Sequence, residues 1–344
     1  MKGDDIYKDL PVDVIHTMTL NSEEVLSGAH HSGGRKECRC GAKAVYFRAY
    51  NGESLCARCF NDSIIEKVKK SISKYDMLHY GDRLGIALSG GKDSTSLLYI
   101  MTKITAGHGT KLTALTIDEG IEGYRDEAIR NALELCERLS VPLLVCSYKE
   151  FFGHTLDSTL EERTRRGVRA TSCAVCGPLR RRSIDRAAEK LGVNVVATAH
   201  NLDDALQTFF INLYSGDIER IRWLDPALHA ESTFKVRRIK PMIEVYEQEI
   251  AFFAYLNGLP FQSESCPYMN EGIRTEIRNN LNQLESKHPG VKYSTLKTVL
   301  GIASSLDLSG RKNLKRAMKC ESCGSVSTGP ICSVCLTLKM VSTP

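Results

Sequence analysis

Fifteen residues constrain this chain more than any others: Leu84-Gly85-Ile86-Ala87-Leu88-Ser89-Gly90-Gly91-Lys92-Asp93-Ser94-Thr95-Ser96-Leu97-Leu98. A short apolar run, a Ser-Gly-Gly turn and an amphipathic run opened by Asp93 and Ser94 predict a strand, a tight loop and a helix N-terminus. Adjacent glycines let the backbone turn sharply and approach a ligand, and the first helical turn offers unpaired N–H groups at the positive end of the dipole. Such a device suits phosphate. It is not the Walker type, which sets four residues between its glycines before Gly-Lys-Ser/Thr; here the glycines are adjacent and Asp93 follows the lysine.

Ser89-Gly90-Gly91-Lys92-Asp93-Ser94 resembles the SGGxDS loop of the ATP pyrophosphatases, enzymes that transfer AMP to a carbonyl oxygen and release pyrophosphate. Beyond it, Lys111 to Ile117, Val141 to Ser147 and Val193 to Thr198 read as further strands, with a helix over Glu127 to Leu139. Strands alternating with helices predict an α/β fold with a doubly wound parallel sheet, its ligands at the carboxyl ends of the strands. The fourth strand runs into Ala199-His200-Asn201-Leu202-Asp203-Asp204-Ala205. Mg²⁺ on ATP phosphates wants hard oxygen ligands, which Asp204 or Asp93 can supply, while Asn201 and Asp203 can equally cap the following helix. This stretch resembles the GHNxDD motif of thiolating ATP pyrophosphatases, with Ala199 in place of the glycine. The likeness implies ATP against Ala87, Leu88, Ser89, Gly90, Gly91, Lys92, Asp93, Ser94, Ile117, Ala199 and Asp204.

Thirteen cysteines among 344 residues need an explanation. No stretch of about eighteen apolar residues occurs, and the N-terminus is polar rather than charged then apolar, so a cytoplasmic protein without a membrane segment is expected. In a reducing compartment so many thiols argue for metal or catalysis rather than disulfides. Cys38-Arg39-Cys40 and Cys56-Ala57-Arg58-Cys59, either side of a strand-like run and an Asn51-Gly52 turn, describe a four-cysteine zinc knuckle. Its first pair is one residue short of the usual spacing, so His30 or His31 is a competing ligand. Cys320-Glu321-Ser322-Cys323 and Cys332-Ser333-Val334-Cys335 describe a zinc ribbon. Cys136 and Cys146 read as isolated small hydrophobes.

The remaining thiols are Cys173 and Cys176, in Thr171-Ser172-Cys173-Ala174-Val175-Cys176-Gly177-Pro178, and the distant Cys266. A CxxC pair suits a redox dithiol, half a zinc site or two ligands of an iron–sulfur cluster, and the neighbouring arginines favour thiolate in each case. Taken together, the pyrophosphate loop, the internal CxxC, the later lone cysteine and the cysteine modules at both ends resemble the tRNA 2-thiouridine synthetases of the two-thiocytidine/Ncs/Ttu group, from about Glu37 onward. The resemblance implies Cys173, Cys176 and Cys266 as ligands of an iron–sulfur cluster, 4Fe-4S in type; another reading of the same family makes Cys173 and Cys266 nucleophiles that pass a persulfide. It implies Lys92 and Asp204 in catalysis, tRNA as substrate, a ubiquitin-like sulfur carrier or free sulfide as donor, and a homodimer.

Arg180-Arg181-Arg182 after the CxxC and Ser215-Gly216-Asp217-Ile218-Glu219-Arg220 look more like the archaeal and eukaryotic cytosolic enzymes that act on wobble uridine. T-loop uridine or cytidine 2-thiolation is the neighbouring alternative, and a non-catalytic zinc-dependent RNA-binding protein the non-enzymatic one. The net charge of +5 is modest, but Arg163, Arg165, Arg166, Arg169, Arg180, Arg181, Arg182 and Arg186 form a dense segment suited to a phosphate backbone. Lys235 to Lys240 is a second basic patch. Six units are expected: a flexible extension over 1–36, the knuckle over 37–60, a linking helix over 61–80, the ATP pyrophosphatase domain over 81–265, a helical part over 266–315, in which Arg274 and Arg278 lie one turn apart, and the ribbon over 316–344.

Overall fold

The computed structural model describes residues 36–226, 236–269, 272–308, 318–327 and 329–341. The expected extension over 1–36, with His30 and His31, falls outside them except for its last residue. A hairpin of β1 (Tyr46–Arg48) and β2 (Glu53–Leu55) forms the knuckle and leads into α1 (Ala57–Lys74). Helix α1 begins earlier than its apolar spacing suggested because Cys56 is its N-cap, accepting from the Cys59 amide at 3.5 Å. One cysteine pair therefore both closes the knuckle and starts the helix.

The central sheet has five parallel strands in the order β5-β4-β3-β6-β7, formed by β3 (Arg83–Ala87), β4 (Lys111–Asp118), β5 (Leu143–Ser147), β6 (Val195–Ala197) and β7 (Arg237–Ile239). The doubly wound expectation holds. The fifth strand is a finding: residues read as part of a basic patch pair in register with β6. Side chains alternate across the sheet as its two-residue period requires. Leu84, Ile86, Ala114 and Ala197 pack into one core, and Leu115, Ile117 and Val196 into another.

On the first face lie α1, α2 (Lys92–Thr105), α7 (Leu202–Tyr214), α9 (Glu247–Leu256), α10 (Arg274–Lys287) and α11 (Val291–Leu308). Helix α3 (Arg125–Leu139) also packs there, through Ala132 and Leu135. The second face carries α4 (Tyr148–Phe152), α5 (Leu156–Arg165) and α6 (Ser172–Leu191). Beside the ribbon hairpin of β8 (Met318–Lys319) and β9 (Val326–Ser327), Cys320, Cys332 and α12 (Ser333–Val341) join this second core, while the short α8 (Ile218–Arg222) packs beside α7 and α11. Strand order reverses between β3 and β6, so the loops after these two strands flank one crevice, the usual ligand position in such sheets.

Candidate active site

The loop after β3 is built to leave its amides free. Leu88 is fastened into the sheet, its amide donating to Leu115 O at 2.9 Å and its carbonyl accepting from Thr116 Oγ1 at 2.7 Å. Gly90 then turns at φ +85°. Gly91 is the N-cap of α2 and brings no side-chain cap, so the amides of the first turn stay open to an anion. Ser94 Oγ takes the Ser89 amide at 3.1 Å and donates to Gly91 O at 3.0 Å, which fixes the loop from within. Among the residues expected to meet ATP, Leu88 and Ile117 have core side chains, so only backbone is on offer there.

Lys92 Nζ lies between Asp93 Oδ2 at 3.1 Å and Glu247 Oε1 at 2.9 Å. Glu247, at the start of α9, has no signature that sequence could reveal. Across the crevice, Asn201 caps α7 in a reciprocal box with Asp204: the Asp204 amide donates to Asn201 Oδ1 at 2.9 Å and the Asn201 amide to Asp204 Oδ2 at 3.2 Å. Asn201 Nδ2 also reaches Asp93 Oδ1 at 3.2 Å. Asp203 does not cap; it accepts from the Glu247 amide at 2.8 Å and from buried Lys292. Arg274 and Arg278 come within 3.9 Å of Asp204 and Glu247 respectively, so both face the crevice. His200 is exposed at its mouth, where the protein crowded around it and the positive charges of Lys240, Arg274, Arg238 and Arg180 push its imidazole below the usual histidine range.

Burial, reinforced by Asp93 and Glu247, pushes the Asp204 carboxyl from 3.8 up to about 7. A carboxyl raised in the fold contributes stability below its unfolded value and loses it as pH rises through the folded one. The cation-free protein is therefore expected to lose thermal stability between about pH 4 and pH 7. Magnesium with ATP should restore it, and Asp204→Asn should flatten the profile. Melting curves across that range check this, and an equally steep fall in Asp204→Asn would count against it.

Cys173 and Cys176 open α6, with Cys173 exposed and Cys176 buried. Cys266, 90 positions beyond Cys176 in sequence, is brought back by Gln262. The Gln262 amide donates to Gly90 O at 2.9 Å and pairs in parallel with Gly91, while Nε2 donates to Tyr124 O at 2.6 Å. Tyr268 OH holds the loop's far side on Asp157 Oδ1 at 2.8 Å. Burial pushes the Cys176 and Cys266 thiols up, and Arg180 opposes it at both. Tyr148 OH donates to Cys176 O at 3.0 Å and lies 3.4 Å from its Sγ.

A continuous chain of contacts joins the two centres. Arg125 donates to Ser89 O at 2.9 Å and to Ile117 O at 2.8 Å. Its Nε lies 2.7 Å from Glu119, whose other oxygen lies 2.9 Å from Arg180 Nε. Arg180 Nη2 in turn donates to Cys176 Sγ at 3.5 Å. The acid after β4 was visible in sequence; that it bridges two arginines was not.

Several other arginines of the segment already have partners within the chain. Arg163 donates to Ala170 O at 2.6 Å, and Arg165 and Arg166 both sit on Glu162 at 2.5 Å. Arg186 donates to Phe151 O and lies over the Phe151 and Phe152 rings. Arg182 reaches Ser325 and the sulfurs of Cys323 and Cys332. In the second patch Arg237 is held by Asp82 and Arg238 by Asp185.

At each end four cysteines gather. The sulfurs of Cys38, Cys40, Cys56 and Cys59 lie within 4.8 Å of one another, as do those of Cys320, Cys323, Cys332 and Cys335. The short Cys38-x-Cys40 spacing is absorbed by a turn in which the Gly41 amide donates to Cys38 O at 2.9 Å. Closed all-thiol quartets of this kind fit a tetrahedral structural metal. Cys173, Cys176 and Cys266 form no such quartet; Cys176 and Cys266 pack in the second core, and the charges of Cys173 and Cys176 both act on Cys266.

A family model described as a PP-loop domain matches residues 61–285. The cytoplasmic tRNA 2-thiolation protein 1 of Chlamydomonas reinhardtii is 33% identical over 306 residues, 88% of this chain and 83% of that protein. The tRNA 2-thiolation protein NcsA of Haloferax volcanii is 33% identical over 324 residues, 89% of this chain and 99% of that protein. Among solved structures, the U34-tRNA thiolase NcsA from Methanococcus maripaludis with its 4Fe-4S cluster superposes with a TM-score of 0.76 at 28% identity, covering 90% of this chain and 98% of that one.

Proposed function

The chain belongs to the PP-loop family of tRNA 2-thiolation enzymes, and from that premise we propose that it is an ATP-dependent tRNA-uridine 2-sulfurtransferase acting at the wobble position. The observation that carries this reading is the unbroken line of contacts from Ser89 O through Arg125, Glu119 and Arg180 to Cys176 Sγ. It sets a loop suited to pyrophosphate beside a set of thiols suited to sulfur. A cytoplasmic setting follows the relatives' names. Separately, no helix among the described residues is long and apolar enough to cross a membrane.

The loop amides and Lys92 hold the triphosphate while uridine O2 attacks the α-phosphorus. Pyrophosphate leaves and the N3 proton is lost, which makes C2 electrophilic with AMP as its leaving group. Lys92 exchanges Glu247 for phosphate oxygen and steadies charge as it develops. Hydrosulfide then adds at C2, its proton passes to N3 and AMP departs. Asp93 and Asp204 are the carboxylates placed to hold Mg²⁺. Cys173, Cys176 and Cys266 would hold the iron–sulfur cluster, which would supply an iron with an open position for sulfur. Zn²⁺ occupies the two quartets, and a ubiquitin-like carrier or free sulfide delivers the sulfur.

Anaerobic purification with iron, labile sulfide and zinc quantified tests the assignment. Wild type should hold about one cluster and about two zinc ions per chain, and Cys176→Ala should lose the iron, the sulfide and thiolation while zinc stays. Zinc alone, with thiolation retained in wild type, would favour a persulfide passed between Cys173 and Cys266.

A further inference from the structure

Arg180 stands where the two centres meet, and part of its guanidinium is uncommitted. Its Nε faces Glu119 at 2.9 Å and Nη2 donates to Cys176 Sγ at 3.5 Å. Nη1 makes no hydrogen bond among the described residues, and the side chain is 49% exposed. Glu119 is 4% exposed and is itself fixed by Arg125, which the loop carbonyl Ser89 O anchors. The guanidinium is thus oriented from the side of the Ser89 loop, while about half of the side chain remains exposed. Its charge acts on Cys266 as well as Cys176.

An anion approaching three thiols that bind as thiolates is repelled unless positive charge lies beside its path. Arg182 and Arg186, further along the same helix, are committed to the ribbon and to Phe151. Cys176 is already flanked by Tyr148 OH on its buried side. On this helix Arg180 is the arginine that donates to one of these thiols, and it has donors to spare. Arginine suits the task better than lysine, because a fork pinned through Nε and one Nη holds the other Nη in a fixed direction.

We propose that Arg180 is a positioning residue for the incoming sulfur: the free edge of its guanidinium binds the sulfur anion, a hydrosulfide or a thiocarboxylate, beside Cys176 and Cys266, and Glu119 with Arg125 keeps that edge aligned with the pyrophosphate loop. This rests on the sulfurtransferase reading of the site.

The test uses the anaerobically iron-loaded full chain as wild type, Arg180→Gln and Arg180→Lys. Each is titrated with sodium sulfide while visible absorption is followed, and KM is measured separately for sulfide and for ATP. Arg180→Gln should retain wild-type iron, require at least about tenfold more sulfide for half-saturation and keep its KM for ATP; one lost charge-assisted hydrogen bond corresponds to that factor. Arg180→Lys should fall between. Wild-type sulfide affinity in Arg180→Gln overturns the proposal. So does loss of iron from both variants, which would make Arg180 a structural support of Cys176. A weakened affinity for sulfide and for a thiocarboxylate-ended peptide alike supports the shared anion, and a weakening for sulfide alone supports free hydrosulfide. A wild type whose sulfide titration depends on Arg180 but which thiolates no tRNA would overturn the proposed function and support this assignment.

Discussion

Gly90→Ala is expected to abolish ATP-dependent activity and weaken nucleotide binding by roughly 10- to 1000-fold, the span of about 1.4 to 4 kcal/mol. Two costs coincide at this position. Its φ of +85° lies where L-residues are disfavoured, by about 1–2 kcal/mol. A Cβ there would also stand 2.3 Å from Ala128 O and 2.7 Å from Ala128 Cα, both backbone atoms of α3 that cannot swing aside. Relief requires the loop to lift off α3, and overpacking of this kind costs about 1–3 kcal/mol more. Lifting it would pull Ser89 O from Arg125 and Gly90 O from Gln262, disturbing the route to the cysteines as well. Gly91→Ala is the control, since its nearest neighbour beyond the adjoining residues is Ser89 Oγ at 3.8 Å and its φ is −86°. Thermal shift with and without Mg-ATP separates the two: Gly90→Ala should show little nucleotide-dependent shift, whereas Gly91→Ala should keep most of it. An ATP response of wild-type size in Gly90→Ala would sink the argument.

That glycine was legible because a turn between strand and helix leaves a local signature. The same holds for Asn201 and the quartets, whose spacing is itself the information. What stayed unread depends on partners far away in sequence. β7 is three residues long and two of them are arginines, so no apolar period marks it; it is a strand because β6 leaves an edge to be paired. Cys266 is joined to the loop by Gln262, a residue without distinguishing chemistry in sequence. The arginine segment is legible only in part. Density of charge is visible in sequence, but whether each guanidinium is free depends on acids, carbonyls and thiols that only the fold supplies, and of Arg163, Arg165, Arg166, Arg182 and Arg186 each has found one. The resulting division, most arginines fastened and Arg180 half open, is what makes a chemical role for one of them arguable.

Glu249→Ala should be the most destabilising single change outside the crevice. Its carboxylate is 1% exposed, with Arg48 Nε at 2.7 Å, Lys67 Nζ at 2.6 Å and Tyr50 OH at 3.0 Å. Arg48, itself 4% exposed, continues the network to Glu53 at 3.0 Å and Ser63 at 2.8 Å. Truncating the acid leaves a buried guanidinium without its main counter-charge, a loss of about 3–5 kcal/mol. For a chain of this size that is a fall in Tm of roughly 4–7 °C. An exposed pair gives the contrast: Arg58 and Asp62 are 3.8 Å apart at 90% and 70% exposure, so Arg58→Ala should change stability by less than about 1 kcal/mol. Glu249→Gln, which keeps the shape and some hydrogen bonds, should lie between. The effect should also reach the crevice, because Glu249 clamps the knuckle onto α9 two residues after Glu247, the partner of Lys92. A destabilised α9 loosens that lysine, so Glu249→Ala protein that remains folded at low temperature should show a raised KM for ATP with its iron content unchanged. A Tm within about 2 °C of wild type, measured at equal metal content, would mean that the network is replaceable and that the knuckle is held by its aromatic contacts, with Tyr46 against Phe60 and Phe252 at 4.6 and 5.0 Å, instead.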